Sequence, residues 1–216
     1  MPRRLFVVCG QGDNVPVIRH LVFDVGRVLF DWDMRYLFRT LIDDPARLDW
    51  FVTHVVTPEW HFQVDEGRDV AAIVAERIAE FPDEAPLIRA YADRFVETIP
   101  GMMPGMEALM ADIIARGVPL FAITNFGAQF WRQFRAGQPL FDHFTDIIVS
   151  GEEKIAKPDP AIFTLAIERF GIDPAAALFI DDRADNVAAA IGAGFQGHHF
   201  IDADTLRSHL NANGVL

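Results

Sequence analysis

Three apolar runs, rich in β-branched and aromatic residues, stop abruptly at polar side chains. His20-Leu21-Val22-Phe23 meets Asp24 and then Gly26, Pro119-Leu120-Phe121-Ala122-Ile123 meets Thr124 and Asn125, and Ala177-Leu178-Phe179-Ile180 meets Asp181 and Asp182. Such runs read as buried strands. Helical spacing separates the later ones, through Met106, Leu109, Met110 and Ile113 up to Gly117, and through Phe163, Ala166 and Ile167 up to Gly171. Strand and helix in alternation call for a parallel sheet with helices on both faces, the doubly wound α/β class. Open sheets of that class bind ligands at the carboxyl ends of their strands. Asp24 is therefore the first candidate for chemistry, although a strand-end Asp also serves to cap a turn.

The pattern changes after Asp33. From Met34 to Pro100 the apolar residues recur at helical spacing, as in Val70, Ile73, Val74 and Ile78, with no convincing strand. The spacing predicts a helical cap over 34–100, inserted into an α/β core made of 17–33 and 101–216. Residues 1–16 are expected to be an N-terminal extension, a loose leader rather than an edge strand. Gly10-Gln11-Gly12 lacks the third, helix-opening Gly of a dinucleotide fingerprint.

Half of the 216 residues are hydrophobic, enough for a sizeable core, and the formal charge is −12. That charge argues against nucleic acid or an anionic membrane as the main partner. A small anionic substrate stays compatible, because the field of a site is local. The single Cys9 allows no internal disulfide and suits a reducing compartment. No apolar run approaches a membrane span, and the one near the N-terminus is short for a secretory signal. The expectation is a cytoplasmic protein, monomer or homodimer, that binds a small molecule.

Taken in order, Asp24, Thr124-Asn125, Lys157-Pro158-Asp159-Pro160 and Asp181-Asp182 resemble the four motifs of the haloacid dehalogenase-like (HAD) hydrolase superfamily, over residues 17–200. The resemblance implies a Rossmann-like core with a helical cap over the active site. It also implies a Mg²⁺-dependent phosphatase acting on a small phosphorylated metabolite through an aspartyl-phosphate on Asp24. A carboxylate nucleophile splits one difficult displacement into two easier ones. By the same resemblance the ion is held by Asp24, the Gly26 carbonyl and Asp182, with Asp181 orienting them from behind. Either acidic residue alone also reads as an N-cap of the next helix. Thr124 and Asn125 are implied to bind the phosphate. Lys157 is implied to offset the charge of Asp24 and phosphate, with Lys154 the rival.

One position departs from the family pattern. Most phosphatases of the superfamily place a second Asp two residues after the nucleophile, to protonate the leaving group; here that residue is Gly26. A subgroup of sugar-1-phosphate phosphatases shares this Asp-x-Gly pattern, and the sequence resembles it. The missing proton then has to come from the cap or from water. The most polar cap stretch is Glu59–Gly67, and its candidates are His61 and Glu66. Arg27 has either a substrate or a surface role, and Trp32, Trp60 and Trp131 read as packing residues. Two alternatives remain: a 2-haloacid dehalogenase using the same Asp24, and a non-catalytic binding protein of the same fold.

Overall fold

The computed structural model describes residues 17–216, so the expected leader at 1–16 lies outside the described residues. The chain enters β1 (His20–Phe23), turns, and forms β2 (Phe30–Asp31). Five α-helices follow: α1 (Arg35–Phe38), α2 (Pro45–His54), α3 (Pro58–Asp65), α4 (Val70–Glu80) and α5 (Ala85–Asp93). β3 (Gly101–Met102) then pairs antiparallel with β2 and closes the excursion. Two residues per strand give no period to read, which is why the sequence does not announce this ladder. Strands and helices alternate from there: α6 (Met106–Arg116), β4 (Leu120–Thr124), α7 (Ala128–Arg135), β5 (Phe144–Val149), α8 (Ser150–Glu153), α9 (Pro160–Phe170), β6 (Ala177–Asp181), α10 (Ala184–Gly192), β7 (Gln196–His199) and α11 (Ala203–Ala212).

The five longer strands form one sheet in the order β5-β4-β1-β6-β7, and every pairing is parallel. β1 is central and covered on both faces. Leu21 and Phe23 join an apolar cluster with Met106 and Leu109 of α6 and Leu206 and Leu210 of α11. Val22 points the other way, into a cluster with Phe163 and Ala166 of α9 and Ala190 of α10. No position on β1 between Leu21 and Phe23 faces water, so the strand reads as an unbroken apolar run. The chain leaves β1 for β4 on one side and reaches β6 on the other. The crevice of a doubly wound sheet opens at such a reversal, here at the carboxyl end of β1.

The inserted helices share their core with the sheet. Phe38, Phe51, Tyr91 and Phe95 belong to the same apolar cluster as Leu21 and Met106. α3 is started by Thr57, whose side chain accepts the Trp60 N–H at 3.1 Å, and by Pro58 in the first turn. Its far end lies directly on the core. Ser150 Oγ donates to the Asp65 carbonyl at 2.6 Å and accepts from the Phe126 N–H at 3.0 Å. Gly127 has no side chain where a Cβ would overlap Val64. Among the described residues no helix is long and apolar enough to cross a membrane.

Candidate active site

The end of β1 delivers Asp24, whose Oδ1 accepts the Val25 N–H at 2.7 Å and lies 2.9 Å from Lys157 Nζ. The same ammonium lies 2.7 Å from Asp181 Oδ2 at the end of β6. Lys157 is 1 % exposed, so one buried cation is shared by two buried carboxylates. Its backbone is pinned by Asn125, which donates through Nδ2 to the Lys157 carbonyl at 2.9 Å and accepts the Lys157 N–H on Oδ1 at 2.8 Å. Asn125, expected to meet phosphate, thus also fixes the lysine. Lys154 is exposed and outside this cluster.

Asp181 has its oxygens occupied. Besides Lys157 it accepts the Arg183 N–H at 2.9 Å and both oxygens receive Asn186 Nδ2, at 3.0 and 3.1 Å. Asn186, five residues on and one turn into α10, was not singled out in the sequence, where it looks like any early helix residue. Asp182 is different: half-buried on the crevice wall, its nearest charged partner is Arg27 Nε at 3.9 Å. Neither acid caps α10, which begins after Arg183 without a side-chain cap. One carboxyl oxygen from each of Asp24, Asp181 and Asp182 lies within 4.8 Å of the others.

Three carboxylates around one ammonium leave surplus negative charge. Burial pushes the Asp24 carboxyl up to about 7, against the pull of Lys157. Burial and then Asp181 raise Asp182. Burial opposes the charge on Lys157, but Asp181 and Asp24 outweigh it and hold its pKa above the ordinary lysine value. Thr124 ends β4 beside them with its Oγ1 buried and without a partner. An orphaned hydroxyl and an excess of hard oxygen donors suit a phosphate and a hard divalent cation respectively.

Above the cluster is a cavity of about 280 Å³, bordered by Asp24, Gly26, Asn125 and Asp182 below and by α3 above. The structure separates the two cap candidates. His61 lines the cavity, but burial lowers its pKa to about 3, so at neutral pH it holds no ionisable proton to give as an imidazolium. Its Nδ1 meets the Tyr91 hydroxyl and its Nε2 lies 3.4 Å from Asp65 Oδ2. Glu66 is exposed and absent from the lining. The residue overlooked is Asp65, one helical turn after His61 and so on the same inward face. It is buried, it lines the cavity, and its Oδ1 has no partner. The phase of α3 carried the signal: Trp60, His61, Val64 and Asp65 face inward, and Glu66 falls on the far side. Trp32, expected only to pack, is on the cavity wall, whereas Trp60 and Trp131 are buried.

A central parallel strand ending in a carboxylate, facing a buried lysine and a second acidic strand end, defines a doubly wound α/β protein with an acidic site at its switch point. The model of the haloacid dehalogenase-like hydrolases matches residues 18–194, and the chain belongs to that family. It is 26 % identical over 188 residues to a sesquiterpene phosphatase of Aspergillus oryzae, covering 84 % of this chain and 89 % of that protein. It is 36 % identical over 81 residues to a phosphoserine phosphatase of Thermus thermophilus, 38 % of this chain and 32 % of that protein. In fold it resembles a HAD family enzyme of Bacteroides thetaiotaomicron solved as a magnesium complex, with a TM-score of 0.69 at 21 % identity, over 90 % of this chain and 98 % of that one.

Proposed function

We propose that the protein is a Mg²⁺-dependent phosphomonoesterase that works through an aspartyl-phosphate on Asp24. The observation that carries this reading is the carboxylate of Asp182 beside Asp24, met among the described residues only by Arg27 Nε at 3.9 Å, in a cluster where Asp181 is already saturated by Lys157, Arg183 and Asn186. Asp24, Asp182 and the Gly26 carbonyl would hold the ion, which when bound neutralises phosphate charge. A dehalogenase expels halide without such an acidic pair. The discriminating assay is hydrolysis of a chromogenic aryl phosphate with and without EDTA, beside halide release from 2-haloacids. Metal-dependent ester hydrolysis supports the proposal; halide release without ester hydrolysis defeats it.

In the first step an Asp24 oxygen attacks phosphorus, a bond forms between them, and the bond from phosphorus to the alcohol oxygen breaks. Lys157 offsets the negative charge of nucleophile and phosphate, and Thr124 Oγ donates to a phosphate oxygen. The alcohol leaves with a proton, and Asp65 is its source. Burial, then the charges of Asp24 and Glu66, raise the Asp65 carboxyl well above the ordinary range, against the Gly127 N–H and Lys157. That shift favours the neutral, proton-bearing form that a general acid needs. Neutral His61 faces it along α3, and the Tyr91 hydroxyl of α5 backs the other nitrogen of that ring. In the second step a water gives its proton to the Asp65 carboxylate and attacks phosphorus, which releases inorganic phosphate and restores Asp24.

Two results follow for the acidic residues. Asp182→Ala is expected to weaken metal binding, so that raised Mg²⁺ partly restores the rate. Asp181→Ala strands buried donors on Lys157 and Asn186, at about 1–3 kcal/mol for each group left unpaired, and Mg²⁺ does not restore it. A Mg²⁺ titration beside thermal melting of both variants separates these outcomes, and the opposite ranking reverses the roles.

Asp65→Asn is expected to slow hydrolysis of alkyl phosphates by about 10²–10⁴-fold, the usual worth of a general acid, and to leave aryl phosphates with acidic leaving groups nearly unaffected. In the wild type the alkyl rate falls as pH rises through the raised Asp65 pKa, because the protonated form is the donor; the variant lacks that limb. No atom lies within 4 Å of a Cβ built on Gly26. Gly26→Asp in the Asp65→Asn background therefore has room for a replacement acid and is expected to recover alkyl phosphatase activity. Equal losses on alkyl and aryl esters would assign Asp65 a structural role instead.

A further inference from the structure

We infer, resting on the phosphatase reading above, that the substrate is the phosphate monoester of an apolar alcohol and not of a sugar or other polyol. The cavity over Asp24 is walled by a girdle of rings. Trp32 and His61 have centroids 5.0 Å apart, His61 and Phe95 5.7 Å, Phe95 and Phe126 5.6 Å, Phe126 and Phe134 5.7 Å, and Phe134 and Phe30 5.0 Å. All six line the cavity, with Phe62 and Ile99 beside them. The charged and amide groups Asp24, Asn125, Asp182, Arg27 and Arg183 border the same space, and the girdle itself is interrupted by one carboxyl, that of Asp65 beside His61.

Polar capacity on the girdle is already committed. The two His61 nitrogens face Tyr91 and Asp65. Of the nitrogens on these rings, the buried one without a partner is Trp32 Nε1, a single donor. A sugar brings several hydroxyls, each needing a partner once it leaves water, and a wall of rings supplies almost none. An aromatic or branched aliphatic alcohol needs none and buries its surface against the rings. The sugar phosphate expected from the first motif therefore meets the wrong wall: the motif governs the phosphate, and the girdle governs the alcohol.

The test compares benzyl phosphate with glucose 6-phosphate, both esters of primary alcohols, so that the acid demand is similar. The expected result is kcat/KM at least about tenfold higher for benzyl phosphate, the scale set by small apolar groups in fitted pockets, and rising further along a series of longer alkyl phosphates. Phe62→Asn, at a half-buried position of α3 that tolerates polarity, is expected to shrink that ratio with thermal melting unchanged. Binding to Asp24→Asn, read calorimetrically with benzylphosphonate and with glucose 6-phosphate, measures the same preference without turnover. Equal or better use of glucose 6-phosphate overturns the inference and leaves the phosphatase reading standing. Absence of turnover on every ester, metal supplied, defeats the reading and the inference together.

Discussion

Asp24→Asn is expected to lower kcat on any phosphate ester by at least about 10⁴-fold, the scale on which nucleophile removal operates in covalent catalysis, while the fold persists. The amide is a poor nucleophile and a weaker oxygen donor, so both the covalent step and the cation site are lost. Stability moves the other way. Burial raises the Asp24 pKa from 3.8 to about 7. The neutral carboxyl suits the folded state, so its contribution is full below the unfolded value and is lost as pH rises through the folded one. Asn is neutral throughout. Above pH 7 and without metal, the variant is expected to melt no lower than the wild type, a familiar sign of a site held at the expense of stability. Initial rates on an aryl phosphate, together with melting curves at two pH values, check both halves. A variant rate within tenfold of wild type would remove Asp24 from the role of nucleophile.

Lys157→Met is expected to damage both activity and fold. The ammonium holds Asp24 at 2.9 Å and Asp181 at 2.7 Å, and it is fully enclosed. Its removal leaves two buried carboxylates without their cation, and breaking a buried pair in this way costs about 3–5 kcal/mol. The loss is expected to ease as pH falls through about 7, because the Asp24 carboxyl, raised there by burial, then protonates and sheds its buried charge. Activity is expected to drop by at least about 10³-fold, since one electrostatic donor at an oxyanion is worth about 10²–10³ and this one also positions Asp24. Urea denaturation at pH 7.5 and pH 5 reads the first effect, and single-turnover phosphorylation of Asp24 reads the second. Undiminished stability at pH 7.5 would mean that the two carboxylates do not depend on Lys157.

Three of the four motifs were legible because each sits where a buried strand must end; Lys157, in the loop after α8, was found by its Lys-Pro-Asp-Pro context instead. A strand covered on both faces leaves no room for a polar residue until it emerges, so Asp24, Thr124 and Asp181 mark strand ends in sequence and in space alike. The parallel sheet and the helical insertion were legible for the same kind of reason, periodicity and its interruption. Choosing between Asp181 and Asp182 was a matter of family alignment in sequence. In the structure the difference is hydrogen bonding: one is saturated from three sides and the other is open to the crevice.

The insertion over the site was harder to read. His61 and Glu66 look like acids in waiting because a sequence shows titratable groups but not their solvation. Enclosure by Tyr91, Phe95 and Phe130 makes His61 neutral, the turn of α3 sends Glu66 to solvent, and Asp65 is left facing the cavity with an unsatisfied oxygen. The ring girdle draws Phe30, Phe95 and the pair Phe126 and Phe134 from three separate stretches of chain, each of which reads alone as ordinary core. Local sequence thus determined the sheet and the strand-end carboxylates, because burial along a strand is a local pattern. Tertiary structure alone decided which titratable groups are enclosed and which rings wall the cavity, because desolvation and cavity shape depend on residues that meet only after folding.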